Sequence, residues 1–426
     1  MRKHIFLFLL FFVPMLAFGQ VEEEPLEEEI EIEILEDTVI KPEMEIYEVE
    51  EIETEEIAEV QQKRWTLNGY IKDLRTVIID TSNNVFILNN QIHNRINFDY
   101  YFNEKWTFKA DLRTQIFYGT LVNMGNPLQP FSEGIDGAND DVLDLSWLIS
   151  DNPTFTVYTM LDRLYLDYTN EKLNVRVGRQ RINWGINTIW NPHDIFNAFS
   201  YFDFDYEERL GSDAVRVTYY TGATSSVEFA MKAFENTDEI VAGGLWKLNK
   251  WNYDFQILGG IYNKDIVAGL GWAGDIKGIG FKGETAIFQG YDTASTAFAG
   301  TVAFDYAFDN SMYASIGFLY NSLGTTESAA ANLLALNITA KNLFPYKYTV
   351  VTVVSYPFNP SLSGTLSIIY SPSDDQLLFI NPTITYSIKD NWDIDLIGQL
   401  ASTKYNNGEN YGLLMKSVFL RMKWSF

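Results

Sequence analysis

From Trp65 onward the chain reads as short segments in which apolar and polar residues alternate. In Thr107 to Gln115 the odd positions are Thr107, Lys109, Asp111, Arg113 and Gln115, and the even ones around them are Trp106, Phe108, Ala110, Leu112, Thr114 and Ile116. The segment before it places Asn89, Gln91, His93, Arg95, Asn97 and Asp99 on one face and Ile92, Ile96, Phe98 and Tyr100 on the other. A period of two predicts strands with one face in water and the other against something apolar. Clusters of Asn, Asp, Gly, Lys and Pro separate such segments from residues 66–79 to residues 412–426, and aromatic residues crowd the segment ends. The expected fold is all-β: a transmembrane antiparallel β-barrel of about 18 strands, an even number as bacterial barrels have. Short connections at 102–105, 169–172, 221–224 and 308–311 are predicted at the inner end, and the long stretches 119–156, 184–210 and 322–346 at the outer end.

The two chain ends extend this picture. Met1 to Gly19 carries Arg2 and Lys3, an apolar run from Ile5 to Phe18 and a small-residue site at Ala17-Phe18-Gly19, the form of a cleaved secretory signal. That run is shorter than the roughly 20 apolar residues a membrane helix needs. Any spanning must therefore be done by strands. At the other end Leu414, Val418, Leu420, Met422, Trp424 and Phe426 share one face, with Ser417, Arg421, Lys423 and Ser425 on the other. A final Phe on such a strand resembles the signal that outer-membrane assembly machinery reads, so Trp424 and Phe426 are the candidate insertion signal.

Charge divides the chain again. The formal net charge is -26, and residues 21–60 contribute nineteen acidic side chains against a single lysine, Lys41. Like charge at that density opposes a compact core. The expected organisation is a signal peptide at 1–19, a disordered acidic periplasmic arm at 20–64 and an outer-membrane barrel at 65–426. Glu31-Ile32-Glu33-Ile34 gives the arm one segment able to add to a partner's sheet edge. An acidic chain is a poor nucleic-acid binder. The absence of cysteine removes disulfides, thiolate nucleophiles, thiolate zinc sites and a lipid anchor. His93 and His193 fall in no recognisable catalytic or metal-ligand spacing. No enzyme, cofactor or metal is expected.

Candidate chemistry concentrates on one arc. Arg75, Arg95, Arg113, Arg163, Arg176, Arg179, Arg181, Arg209 and Arg216 all lie before residue 221, and Arg421 alone follows. Inward guanidinium groups can lead anions along a pore, or can pair with Asp99, Asp111 and Asp167 to brace the wall; both readings stand at this stage. The constriction candidates are Arg95, Arg113, Arg163, Arg176, Arg179, Arg181 and Arg216, opposed by Asp136, Asp140, Asp141 and Asp144 if the 119–156 loop folds inward. Strict alternation would send Arg179 and Arg181 toward lipid, so a bulge at Gly178 is expected to turn them back. Residues 329–343, rich in Ala and Leu, form a second candidate plug of helical character.

The run Gly178-Arg179-Gln180-Arg181-Ile182-Asn183-Trp184-Gly185, followed by Asn191-Pro192-His193-Asp194, resembles a porin-like outer-membrane family marked by GRQ, WG and NPxD elements. More distantly it is similar to alginate-export barrels. The acidic arm and the Phe-ended last strand resemble those of porin-like proteins from Bacteroidota. What the resemblance implies is passive transport. The expected function is a porin-like channel passing small polar solutes or oligosaccharides through an arginine-lined lumen in the outer membrane, with both termini periplasmic. The alternative is a plugged structural or assembly barrel whose acidic arm binds a partner of an outer-membrane complex.

Overall fold

The computed structural model describes residues 63–80, 85–123, 141–198, 211–291, 295–329, 338–405 and 410–426. The signal segment, and the acidic arm apart from Lys63 and Arg64, lie outside the described residues.

Nineteen strands form one sheet. In chain order they are β1 (Trp65–Asp80), β2 (Val85–Tyr101), β3 (Trp106–Gly119), β4 (Ser146–Asn152), β5 (Phe155–Thr169), β6 (Leu173–Gln180) and β7 (Ser212–Gly222). Next come β8 (Ser225–Lys232), β9 (Val241–Lys250), β10 (Tyr253–Tyr262), β11 (Asp265–Ile276), β12 (Ile279–Gly290) and β13 (Thr296–Ala307). The last six are β14 (Tyr313–Asn321), β15 (Tyr348–Asn359), β16 (Leu362–Tyr370), β17 (Leu378–Lys389), β18 (Trp392–Tyr405) and β19 (Asn410–Ser425). Each pairs antiparallel with its sequence neighbour, except that β3 skips β4 and pairs with β5. β19 returns to β1, from Tyr70↔Ser425 to Ile79↔Lys416. The result is a closed ring of 18 strands with β4 as a supplement.

Alternation explains which face goes where. In β11 Ile266 and Leu270 are exposed while Val267 between them is buried. In water each exposed side chain of this size would forgo about 1.5–3 kcal/mol, so an outer face built of them belongs in lipid. Among the described residues no helix is long and apolar enough to cross a membrane; the strands do the crossing. Rings gather at the end that holds the short turns: Trp106 against Tyr168 at 4.9 Å, Trp392 against Trp424 at 6.0 Å and Tyr306 against Phe308 at 4.7 Å. A second set, Phe298, Tyr320 and Tyr348, sits at the opposite end. Such paired girdles mark the two membrane interfaces.

Phe426 completes the seam. Its backbone N–H donates to Gly69 O at 2.9 Å and its carbonyl accepts from Gly69 N at 3.0 Å. A side chain at Gly69 would put its Cβ 2.9 Å from the Phe426 ring, so glycine makes the seat.

Two departures from the expected wall lie side by side. The stretch 119–156 is not all loop: β4 pairs with the outer half of β5, Ser146↔Met160 to Asn152↔Phe155. It takes the place next to β5 that β6, ending at Gln180, leaves vacant. Alternation hid it because Trp147, Leu148 and Ile149 run consecutively, and the register shifts between Leu148 and Ser150. The second departure is the bulge. β6 keeps unbroken register with β5 and β7 through Gly178, so no bulge sits there. Gly178 instead has φ +120, and a Cβ would come 2.9 Å from Tyr165 Cα; only glycine is comfortable in that backbone. The bulge is in β5, where Asp111↔Arg163 is followed by Leu112↔Leu161 and Asp162 is the extra residue.

Candidate functional site

The β5 bulge builds the charged arc. Before it, Thr156, Tyr158 and Met160 are the buried inward positions; beyond it, Arg163, Tyr165 and Asp167 take that face. Asp162 and Arg163 therefore both reach the interior. Arg95 and Arg113, cross-strand neighbours on β2 and β3, converge on Asp162: Arg95 Nη1 is in contact with Oδ2, and Arg113 Nη2 lies 2.9 Å from Oδ1. Arg95 Nη2 also reaches Asp111 at 2.9 Å, and Lys109 bridges Asp99 at 2.9 Å and Asp111 at 3.3 Å. Arg163 Nη1 donates to the Asp162 carbonyl at 2.7 Å. Farther along, Arg176 Nε donates to Asp167 at 2.6 Å with its guanidinium over the Tyr165 ring at 4.3 Å. Arg216 donates to Asn174 Oδ1 at 3.3 Å.

Arg179 and Arg181 take different environments. Arg179 shares the parity of exposed Val177, yet it is buried: Asp213 accepts from Nε at 2.9 Å and from Nη2 at 2.8 Å, and Leu143 O accepts as well. The leading segment of β4 thus covers it, with Asp141 3.8 Å from Arg179 and 2.9 Å from Lys232. Arg181 donates to Asn183 at 3.2 Å. Asp144 accepts from Ser146 and turns the chain into β4. Asp136, Asp140 and Arg209 lie outside the described residues. Trp424 and Phe426 are on the exposed outer face.

A segment expected outside the barrel enters it. Residues 182–198 leave β6 and cross the interior, burying Ile182, Trp184, Ile189, Trp190, His193, Asp194, Ile195 and Phe196. Asp194 Oδ1 holds the turn together by accepting from Trp184 N and Gly185 N, both at 2.8 Å. The far wall receives the segment through Glu284 of β12, which accepts from the backbone N–H groups of Ile186, Asn187 (3.0 Å) and His193 (3.2 Å). Asn187 donates to Thr301 at 2.5 Å, and the His193 ring lies 3.1 Å from Thr285 O and 3.4 Å from Gln256 Oε1. Burial pulls the His193 pKa below 6.5, more than these two acceptors raise it.

The wall is shaped for this guest. A Cβ on Gly243 would stand 3.1 Å from the Trp184 ring, one on Gly269 2.6 Å from His193 Nε2, and one on Gly271 2.8 Å from Ile186 Cδ1. The small residues of β9 and β11 are room for the segment.

A second inward group comes from the connection after β14. Phe344 meets Trp190 edge-on at 5.6 Å and shares a buried cluster with Leu319, Leu343, Val351, Ile369 and Phe379. Its anchor is Asp375, which accepts from Ser328 at 2.9 Å, Ala329 N at 3.1 Å and the Tyr346 hydroxyl at 2.8 Å. Burial would raise the Asp375 pKa, but hydrogen bonds from Ser373, Tyr346, Ser328 and Ala329 outweigh it and hold the carboxyl below its ordinary value. Most of the expected helical stretch 329–343 lies outside the described residues; 338–343 is not helical. Asp162, Asp213, Glu284 and Asp375 are the site residues that alternation alone missed. Among the described residues no group of three or more His, Cys, Asp or Glu could hold a metal ion.

A closed ring of 18 antiparallel strands, an apolar outer face between aromatic girdles and segments folded into the interior define a transmembrane β-barrel of porin-like fold. No protein-family model and no curated protein matches the chain. Its shape does have relatives. The outer membrane protein OprD from Pseudomonas aeruginosa aligns with a TM-score of 0.55 at 10% identity, over 85% of this chain and 94% of that one. OccAB2 from Acinetobacter baumannii gives 0.53 at 9% identity, over 85% and 98%. OccK7 from Pseudomonas aeruginosa gives 0.52 at 9% identity, again over 85% and 98%. At such identity the likeness is one of fold.

Proposed function

We propose that this barrel is a passive outer-membrane channel for small polar solutes or oligosaccharides, narrowed by the 182–198 segment and the group around Phe344. The observation that carries the reading is the anchoring of 182–198 on Glu284, Thr301 and Thr285 across the interior. A wall built with glycines at Gly243, Gly269 and Gly271 to admit one segment suits a fixed constriction. In this reading the inward arginines, most of them ion-paired with Asp111, Asp162 and Asp167, brace the arc and leave a paired, polar lining for the solute. The GRQ/WG/NPxD likeness, a Bacteroidota-type origin, a cleaved signal at 1–19, termini in the periplasm and recognition of Trp424 and Phe426 by assembly machinery belong to the same proposal. Stepwise conductance of the purified, folded protein in planar bilayers is the expected result; electrical silence of a correctly folded sample would overturn it.

A second reading, a plugged barrel serving assembly, draws on the two apolar clusters buried inside the wall. Its acidic arm, residues 21–60, would bind the periplasmic or outer-membrane partner. Deleting those residues should then abolish co-purification of that partner without changing conductance.

A further inference from the structure

From Trp184 to Phe196 the inward segment buries or half-buries every residue but one. Thr188 is that residue: it is exposed, between half-buried Asn187 and buried Ile189. Its turn is fixed from behind, because Asn187 donates to Glu284 through its backbone N–H and to Thr301 through its side chain. The Thr188 hydroxyl itself makes no hydrogen bond among the described residues. A segment so thoroughly packed thus presents a single free hydroxyl to the aqueous interior.

The wall beside Thr188 stands back from it. On the inward face of β12 to β14, Lys282 pairs with Ala303 and Ala303 with Gly317, while Asp305 pairs with Ser315 in the next row. Directly opposed residues share a face, so three small residues lie together there, and with Thr188, Lys282 and Asp305 they border one recess. Charge in the recess is balanced: Lys282 Nζ lies 3.0 Å from Asp305 Oδ2, and the two side chains keep 24% and 19% exposure. A Cβ on Gly280 would stand 2.7 Å from either Asp305 carboxylate oxygen, so the glycine makes room for the carboxylate beside Lys282. A lining with one charge of each sign attracts ions of neither sign from a distance. The hydroxyls of Thr188 and Ser315 can both donate and accept, which suits a solute that carries several hydroxyls and no charge.

We propose that Thr188 is the specificity-determining residue of the constriction and that the solute class it favours is the uncharged polyol, a sugar or sugar alcohol. The inference rests on the channel reading above. Because the sequence contains no cysteine, Thr188→Cys in the full-length protein provides a single thiol. A membrane-impermeant methanethiosulfonate reagent should label it in the folded barrel, read as a mass shift, and should lower the conductance in planar bilayers. The same reagent should leave Ile195→Cys unlabelled, since Ile195 is buried. In liposome swelling, glucose should enter faster than glucosamine or gluconate, which are close to it in size but carry one charge each, of opposite sign. Thr188→Val keeps the shape and removes the hydroxyl; it should slow glucose about threefold, the scale of one hydrogen bond, and leave small-ion conductance unchanged. Three outcomes in a conducting wild type would overturn this inference alone: an unlabelled Thr188→Cys, glucose entry untouched by Thr188→Val, or equal entry of the three solutes. A folded wild type that is electrically silent and passes no sugar would overturn the channel reading and this inference with it.

Discussion

Two guanidinium groups, Arg95 and Arg113, share the carboxylate of Asp162, and all three side chains are nearly withdrawn from solvent. Removing one member of such a set leaves buried charge without compensation, at a cost of about 3–5 kcal/mol. Asp162→Ala should therefore lower the stability of the folded barrel by that amount, read as a shift of the urea midpoint in gel-mobility unfolding. An effect under about 1 kcal/mol, the size of an exposed pair, would mean that water reaches the cluster. His193 carries the second residue-level expectation. Its seated pKa lies below the ordinary 6.5 through burial, so between the two values the released segment binds more protons than the seated one. Stability of the seat is complete above about 6.5 and declines as pH falls through that window. Conductance of the wild type should change on acidification below pH 6.5. His193→Gln, which keeps a donor for Thr285 O, should flatten that dependence.

Single strands differ in how openly the chain announces them. Most of the ring was readable because strands such as β3 and β19 keep a period of two between a wet and an apolar face over most of their length. β4 was not, since Trp147-Leu148-Ile149 imitates a loop cluster and the pairing partner is set by the early end of β6. The bulge at Asp162 was equally silent: one extra residue reverses the facing of everything beyond it, and local composition carries no mark of the shift. Gly178 drew attention as a bulge that would turn Arg179 and Arg181 inward, but the strand keeps a continuous register there and the glycine serves a positive φ instead. The inward path of 182–198 depends on contacts as distant as Glu284 and Thr301, and no window of sequence contains both partners. A test at this scale uses the seat itself. Gly269→Ala would place a Cβ 2.6 Å from His193 Nε2 and 2.9 Å from Thr285 O, and backbone on one side leaves little room to yield. Displacement of the segment should alter single-channel conductance, while Gly259→Ala, whose Cβ meets nothing within 4 Å, should leave it unchanged.

At the scale of the whole barrel, the distribution of charge decides what the interior can select. Arginines crowd the arc from β1 to β7, as composition indicated, but the carboxylates that neutralise them are on the same strands: Asp111 and Asp162 for Arg95, Asp167 for Arg176, and Asp213 for the covered Arg179. The rest of the ring repeats the arrangement, with Arg421 of β19, next to β1, on Asp395 at 2.8 Å and, across the barrel, Lys282 on Asp305 at 3.0 Å. A lining made of such pairs has short-range dipoles rather than one strong sign, and beyond a Debye length of roughly 8 Å its field is screened. Selectivity between small anions and cations should therefore be weak in the wild type. The pair Arg176 and Asp167 is the informative one, because its side chains keep 23% and 13% exposure and their charges remain within reach of passing ions. Asp167→Asn preserves an acceptor for Arg176 while removing the negative charge, and should move the reversal potential under a salt gradient toward anions. Arg176→Gln should move it toward cations. If neither substitution shifts the reversal potential while conductance persists, the ions take a path that avoids this arc, on the side where Lys282 and Asp305 face the Trp190 end of the inward segment.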